Sequence, residues 1–221
     1  MRKALIFDLD GTLVYTLPSF KYEVMVKTLS ELGMNVFRKD EIDEFWYGTD
    51  RDKIIEKYFR VEPQRFWEIF SKYNKPERRV EYTEVYEDVH VLRSLKEKYK
   101  LKLGIITSNP YPIAKKEVEL LEREGIEFDS IVTPNYPEEK PKPNAKLVER
   151  CLKELGVEKK DVLLVGNGEE DWLLAKNAGI AFILIERENK IETDGSCRKI
   201  RSLYDLEKIL KIYHQSGKKD I

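Results

Sequence analysis

Along the chain, short continuous apolar runs alternate with longer stretches in which apolar residues recur every three or four positions. The runs predict strands over Lys3–Asp8, Leu101–Thr107, Ser130–Val132, Asp161–Val165 and Ala181–Ile185. An apolar run this short, bounded by turn-forming residues, suits a strand buried on both faces of a parallel sheet. The periodic stretches predict helices. Val89, Leu92, Leu95 and Tyr99 form one apolar stripe, and Leu147, Val148, Cys151, Leu152 and Leu155 form another, at the spacing of an amphipathic helix. Leu203, Leu206, Ile209 and Leu210 predict a closing C-terminal helix. The alternation fits an α/β fold, a parallel sheet with helices on both sides.

One interval breaks the rhythm. Residues 9–100 separate the first two strands, whereas a parallel crossover needs only about a dozen residues, usually one helix. A helix near Glu87–Tyr99 can serve as that crossover, which leaves residues 17–85 surplus. Patterns over Pro18–Leu32, Lys39–Trp46, Arg51–Phe59 and Pro63–Tyr73 predict that the surplus is helical. Of the 24 aromatic residues, 15 fall between Tyr15 and Tyr86, and a segment so aromatic is no disordered linker. The expected organisation is a core built from residues 1–16 and 86–221, with a helical cap, residues 17–85, inserted. Because the insert leaves just after the first strand, it is expected to cover that strand's end as a lid.

Composition narrows the partners. Lys and Arg number 40 against 41 Asp and Glu, so no global field draws the chain to nucleic acid or an anionic membrane. The basic stretches Glu77-Arg78-Arg79 and Lys218-Lys219 read as solvated surface rather than nucleic-acid contacts. Cys151 and Cys197 are too few for a disulfide framework, and Cys151 falls on an apolar helix face as core. The N-terminal apolar run is too short for a signal peptide. No apolar stretch approaches the ~18 residues of a membrane span. A cytoplasmic protein is expected.

The chemistry gathers at strand ends. Asp8 and Asp10 close the first strand in Phe7-Asp8-Leu9-Asp10-Gly11-Thr12-Leu13, at the edge where open α/β sheets hold ligands. Two carboxylates about 4 Å apart repel by roughly 4 kcal/mol at an effective dielectric near 20. A chain that plants them there also needs a cation or a proton. Thr107-Ser108-Asn109-Pro110 either caps the next helix or binds an anion with hydroxyl, amide and backbone N–H groups. Glu139-Lys140-Pro141-Lys142-Pro143 is a solvated turn, or a stiffened approach that holds Lys140 forward. Gly166-Asn167-Gly168-Glu169-Glu170-Asp171 complements a helix N-terminus or completes a metal site. In the insert, Tyr47-Gly48-Thr49-Asp50-Arg51 is an interhelical turn, or the segment that reads a leaving group through Arg51.

Together these segments resemble the haloacid dehalogenase superfamily, chiefly its phosphatases with a helical (C1-type) cap, the phosphoglycolate phosphatase-like branch. The family's Asp-x-Asp-Gly-Thr is matched by Asp8-Leu9-Asp10-Gly11-Thr12. Its Thr or Ser ending an apolar strand is matched by Thr107, with Ser108 as the alternative register. Its Lys before a Pro-x-Pro segment is matched by Lys140, and its Gly-Asp-x-x-x-Asp by the spacing of Gly166, Asn167 and Asp171. Two positions depart from the pattern: the family usually has Asp where Asn167 stands, and often Asp where Tyr15 stands. Asn keeps a carbonyl oxygen that Mg2+ accepts but brings no charge.

The resemblance implies a Rossmann-like doubly wound sheet with strand order 5-4-1-2-3, which brings the ends at Asp8, Thr107 and Gly166 to a topological switch point. It also implies a Mg2+-dependent phosphatase for a small phosphorylated metabolite, with Asp8 as nucleophile and Asp10 as general acid and base. Thr107 and Lys140 then bind phosphoryl oxygens. Asp8, the Asp10 carbonyl, Asn167 and Asp171 hold Mg2+, while Gly11, Thr12, Ser108 and Asn109 shape the substrate site; Arg51 joins them only if the turn that carries it reads the leaving group. A phosphomutase and a catalytically weak phosphate-binding homologue are the alternatives on the same scaffold. A monomer or homodimer is expected.

Overall fold

The computed structural model describes residues 2–34, 37–187, 191, 193–195 and 197–216; Lys218 and Lys219 lie outside them. Its strands are β1 (Ala4–Phe7), β2 (Val14–Thr16), β3 (Thr83–Val85), β4 (Lys102–Ile106), β5 (Ser130–Val132), β6 (Val162–Gly166), β7 (Ala181–Ile185) and β8 (Arg198–Ile200). Its helices are α1 (Pro18–Glu31), α2 (Lys39–Tyr47), α3 (Arg51–Ile54), α4 (Pro63–Tyr73), α5 (Pro76–Val80), α6 (Val91–Tyr99), α7 (Tyr111–Arg123), α8 (Lys146–Leu155), α9 (Glu169–Ala178) and α10 (Leu206–Ser216). The chain divides into two compact units, Met1–Tyr15 with Val85–Ile221, and Thr16–Glu84. No helix among the described residues is long and apolar enough to cross a membrane.

The first unit is α/β. Its sheet has the order β5-β4-β1-β6-β7-β8, every pair parallel. Read from the other edge, the five expected strands take the order 5-4-1-2-3, but the sheet is six-stranded rather than five-stranded. The addition is β8, whose Arg198 and Lys199 are exposed and whose Ile200 alone is buried. Three residues with one apolar side chain give no periodic signal. Every residue of β1 is fully buried, and its side chains alternate between faces. Leu5 and Phe7 pack with Leu92 and Leu95 of α6, Val118 of α7 and Leu210 of α10. Ala4 and Ile6 pack with Val148 and Cys151 of α8 and Leu174 of α9. Helices therefore cover both faces, as a doubly wound sheet requires. At Gly104 of β4 a Cβ would stand 2.8 Å from Cys151 Sγ, so glycine there is what lets α8 lie close. Burial pushes the Cys151 thiol up to about 12, which leaves it an inert core residue.

The second unit is helical. Its core joins Phe20, Met25 and Leu29 to Phe45, Phe59, Phe66 and Phe70. Phe45 lies 5.2 Å from Phe66, 5.6 Å from Trp67 and 5.5 Å from Phe70 by ring centroid, pairs worth roughly 0.5–1.5 kcal/mol each beyond their area. The helix expected over Arg51–Phe59 ends early as α3 and continues as a wide π turn, Ile55–Phe59. That turn keeps both Ile55 and Phe59 buried, with Phe59 stacked 5.8 Å from Phe66. The Arg78–Arg79 stretch is not all solvated surface. Arg78 pairs with Glu23 at 3.1 Å, whereas Arg79 is buried with its guanidinium 5.8 Å from the Trp46 ring, where its face contact offsets desolvation.

Candidate active site

Parallel strands end on one edge, and register fixes what emerges there. Phe7 of β1 pairs with Ile105 of β4 and Val165 of β6, so the polar residues just past these strands leave the sheet side by side. Asp8 N–H still donates to Val165 O at 2.9 Å, and Thr107 N–H to Val132 O at 3.1 Å. Beyond Asp8 the chain turns back at once, with Leu13 N–H and Val14 N–H donating to Leu9 O at 2.9 and 3.1 Å. Gly11 sits in this turn at φ +77°, where a Cβ would come 2.2 Å from the Asn167 side chain. The close approach that Gly11 permits is thus to Asn167.

At the centre lies a buried cation between two buried acids. Lys142 Nζ is 2.6 Å from Asp8 Oδ1 and 2.7 Å from Asp171 Oδ1. All three side chains are at most 5% exposed. The lysine at this centre is Lys142 and not Lys140, which is exposed with its carbonyl taking the Asn144 amide at 3.1 Å. Both lysines stand beside prolines, but only Lys142 stands between two. The turn into α8 carries it inward, where the carboxylates repay its desolvation. Burial first, then the charge of Asp171, raises Asp8 to about 8, against the lowering pull of Lys142. Asp171 is also raised, again chiefly by burial. Burial alone would lower Lys142, but Asp171, Asp8 and Glu170 together outweigh it and hold the ammonium charged.

One lysine cannot neutralise two carboxylates, and the oxygens around them suit a hard cation. Thr12 Oγ1 donates to Asp8 Oδ2 at 3.1 Å and lies 3.3 Å from Asn167 Oδ1. One end of the Asn167 amide stands 3.2 Å from both Asp8 Oδ2 and the Asp10 carbonyl. Turned one way, its NH2 donates to both. Turned the other way, its oxygen joins them in a cluster that a cation satisfies. Among the described residues no three His, Cys, Asp or Glu side chains form a metal cluster; position 167 contributes an amide to the oxygens here. An all-oxygen set with two carboxylates fits Mg2+.

The remaining expected residues divide. Asn109 Nδ2 donates to Asp10 Oδ2 at 2.5 Å and to Glu117 Oε2 at 3.1 Å, so its side chain is turned to Asp10. Thr107 is buried and accepts Asn109 N–H at 3.2 Å. Ser108 Oγ instead donates to Glu170 Oε2 at 3.0 Å, which separates it from Thr107. Arg51 opens α3 in the helical unit, its guanidinium 3.4 Å from Trp46 O.

Three residues escaped sequence reasoning. Glu117 carried a signal: it is an acid in the apolar stripe of α7, with Ile113, Ala114, Val118 and Leu121. Asp88 and Arg187 carried none. Arg187 pairs with Asp88 at 2.7 Å, donates to Thr12 O at 3.0 Å and lies 4.0 Å from the Tyr86 ring. It thereby braces the turn that follows Asp8.

Comparison with known proteins places the chain. Residues 5–185 match the family model for haloacid dehalogenase-like hydrolase. Phosphoglycolate phosphatase of Aquifex aeolicus is 32% identical over 182 residues, covering 80% of this chain and 81% of that protein. Pyrophosphatase PpaX of Halalkalibacterium halodurans is 30% identical over 186 residues, covering 79% of each. Among solved structures, a HAD phosphatase from Thermococcus onnurineus superposes with TM-score 0.65 at 26% identity, over 94% of this chain and 97% of that one. The CbbY D10N mutant of Rhodobacter sphaeroides, in complex with xylulose-1,5-bisphosphate, gives TM-score 0.71 at 21% identity, over 91% and 95%; at that identity the likeness concerns the fold alone.

Proposed function

The chain belongs to the haloacid dehalogenase-like hydrolase family and is a phosphatase of that family, and from this premise we propose that it hydrolyses a small phosphomonoester, with Mg2+ as cofactor, through an aspartyl-phosphate on Asp8. The observation that carries the reading is Lys142 shared between buried Asp8 and Asp171, beside the oxygens of Asn167 and the Asp10 carbonyl. Phosphoryl transfer asks for in-line positioning and neutralised oxygens more than for elaborate covalent chemistry.

Asp8 attacks phosphorus as the bond to the leaving oxygen breaks. Asp10 gives that oxygen a proton, then takes one from the water that hydrolyses the intermediate. Lys142 Nζ and Thr107 Oγ1 bind phosphoryl oxygens and answer the charge that develops on them. Thr12 orients Asp8 through its 3.1 Å hydrogen bond. Asp8, Asp171, Asn167 and the Asp10 carbonyl would hold Mg2+, which when bound supplies positive charge to a phosphate oxygen and to the nucleophile. That charge matters because Asp8, raised to about 8, is otherwise mostly protonated at neutral pH. The named relatives make phosphoglycolate and pyrophosphate the first candidates to assay.

The test is phosphate release across a panel of phosphorylated metabolites, with Mg2+ and with EDTA. Turnover with Mg2+ that EDTA abolishes is expected. Beryllium fluoride with Mg2+ is expected to attach to Asp8 as a phosphoryl mimic. A chain that releases phosphate from no member of the panel, or equally with EDTA, is not the proposed enzyme.

A further inference from the structure

Glu117 presents a carboxyl group on the apolar face of α7, 1% exposed and flanked by Ile113, Ala114, Val118 and Leu121. It lies well inside the helix, which begins at Tyr111, so it caps no helix terminus. A polar group buried there costs free energy unless its oxygens are hydrogen-bonded. Its Oε2 accepts from Asn109 Nδ2 at 3.1 Å, and the same nitrogen donates to Asp10 Oδ2 at 2.5 Å. A primary amide nitrogen has two hydrogens, and here each meets a carboxyl oxygen. With acceptors on both sides, the amide cannot turn its oxygen toward Asp10 without facing acceptor against acceptor.

We propose that Glu117 is a positioning residue, acting through Asn109 to fix the carboxyl group of Asp10 for proton transfer to the leaving oxygen. The inference rests on the phosphatase reading. Asn109 holds the Asp10 carboxyl group through Oδ2. As the P–O bond to the leaving group breaks, a proton passes from that carboxyl group to the departing oxygen, while Asp8 forms the new P–O bond. Misplacing a proton donor by even an ångström degrades the step, so a residue as deeply buried as Glu117 can act on it through Asn109.

General-acid help matters for a poor leaving group and little for a good one, and this separates positioning from mere support of the fold. The experiment compares kcat/KM for glycerol phosphate and para-nitrophenyl phosphate, with Mg2+, in wild type, Glu117→Leu and Glu117→Gln. Glu117→Leu is expected to lose about tenfold or more on glycerol phosphate, through kcat and not KM, but under about threefold on para-nitrophenyl phosphate. Glu117→Gln keeps an acceptor and is expected to restore most of the loss. An equal loss on both substrates, or none on glycerol phosphate, overturns the proposal. If Glu117→Leu does not fold, Glu117→Ala carries the same comparison, with thermal melting as the check on folding. A wild type that releases phosphate from no member of the metabolite panel instead overturns the phosphatase reading and the inference with it.

Discussion

Past the end of β1, Lys142 is shared by Asp8 and Asp171; past the end of β7, Arg187 pairs with Asp88. Both clusters lie in the α/β unit around buried acids, and those acids respond in opposite directions. Asp88 accepts two N–H groups of Arg187 at 2.7 and 2.9 Å, the Ser202 hydroxyl at 2.8 Å and Leu203 N–H at 2.9 Å. Burial works against its charge, but these donors outweigh burial and lower Asp88 below the usual carboxylate range. Asp8 has Lys142 and Thr12 as donors but faces Asp171, and it is raised to about 8. An acid with donors to spare stays ionised and holds the fold together. Two acids with one lysine between them keep an unmet demand for positive charge, which the proposed Mg2+ would meet.

The contrast can be broken in four ways, from the largest expected effect to the smallest. Asp8→Asn removes the proposed nucleophile, and phosphate release should fall by roughly 10^4 or more. The melting temperature should not fall, because the amide replaces a carboxyl group that is mostly protonated at neutral pH. Mg2+-dependent hydrolysis of para-nitrophenyl phosphate surviving in this variant would overturn the nucleophile. Asp88→Ala should do the reverse. It strands the Arg187 charge in the interior, and denaturant titration should show about 3–5 kcal/mol less stability, with much smaller change in kcat/KM of the folded protein. If both substitutions affected activity alone, the division into a poised and a satisfied cluster would be wrong.

The third test is pH, and the signs differ. In the metal-free protein, folded Asp8 binds a proton between 3.8 and about 8 that the unfolded chain has released. Stability therefore falls as pH rises through that window. Asp88 contributes stability that is present above 3.8 and lost as pH falls through its lowered value. Urea midpoints in EDTA should decline toward pH 8 in wild type and decline less in Asp8→Asn. Mg2+ at about 100 times its Kd should add about 2.7 kcal/mol and flatten the decline. An alkaline decline unchanged in Asp8→Asn would show that another group causes it. Asn167→Asp has the smallest expected effect: Mg2+ should bind roughly tenfold tighter by calorimetry, about 1.4 kcal/mol, while the metal-free protein loses stability to a third buried acid. Unchanged affinity would remove Asn167 from the metal ligands.

Much of this molecule could be read along the chain, for a local reason. Buried parallel strands must be apolar throughout, so the runs ending at Phe7, Ile106 and Val165 announce themselves. The polar residues just after them, Asp8, Thr107 and Asn167, then reach one edge because parallel strands share their direction. Spacing to the strand end is enough for such residues. It is not enough where a side chain's role depends on the path of a turn or on a neighbour far along the chain. Lys140 and Lys142 share the same proline-rich context, and the course of the turn into α8 chose which one meets Asp8. Glu117 meets Asn109 through the loop that enters α7, and Asp88 meets Arg187 only once β7 has taken its place in the sheet. Apolar patterning reports burial at each position, but ion pairs and shared hydrogen bonds report which buried positions meet, and that is a property of the packed whole.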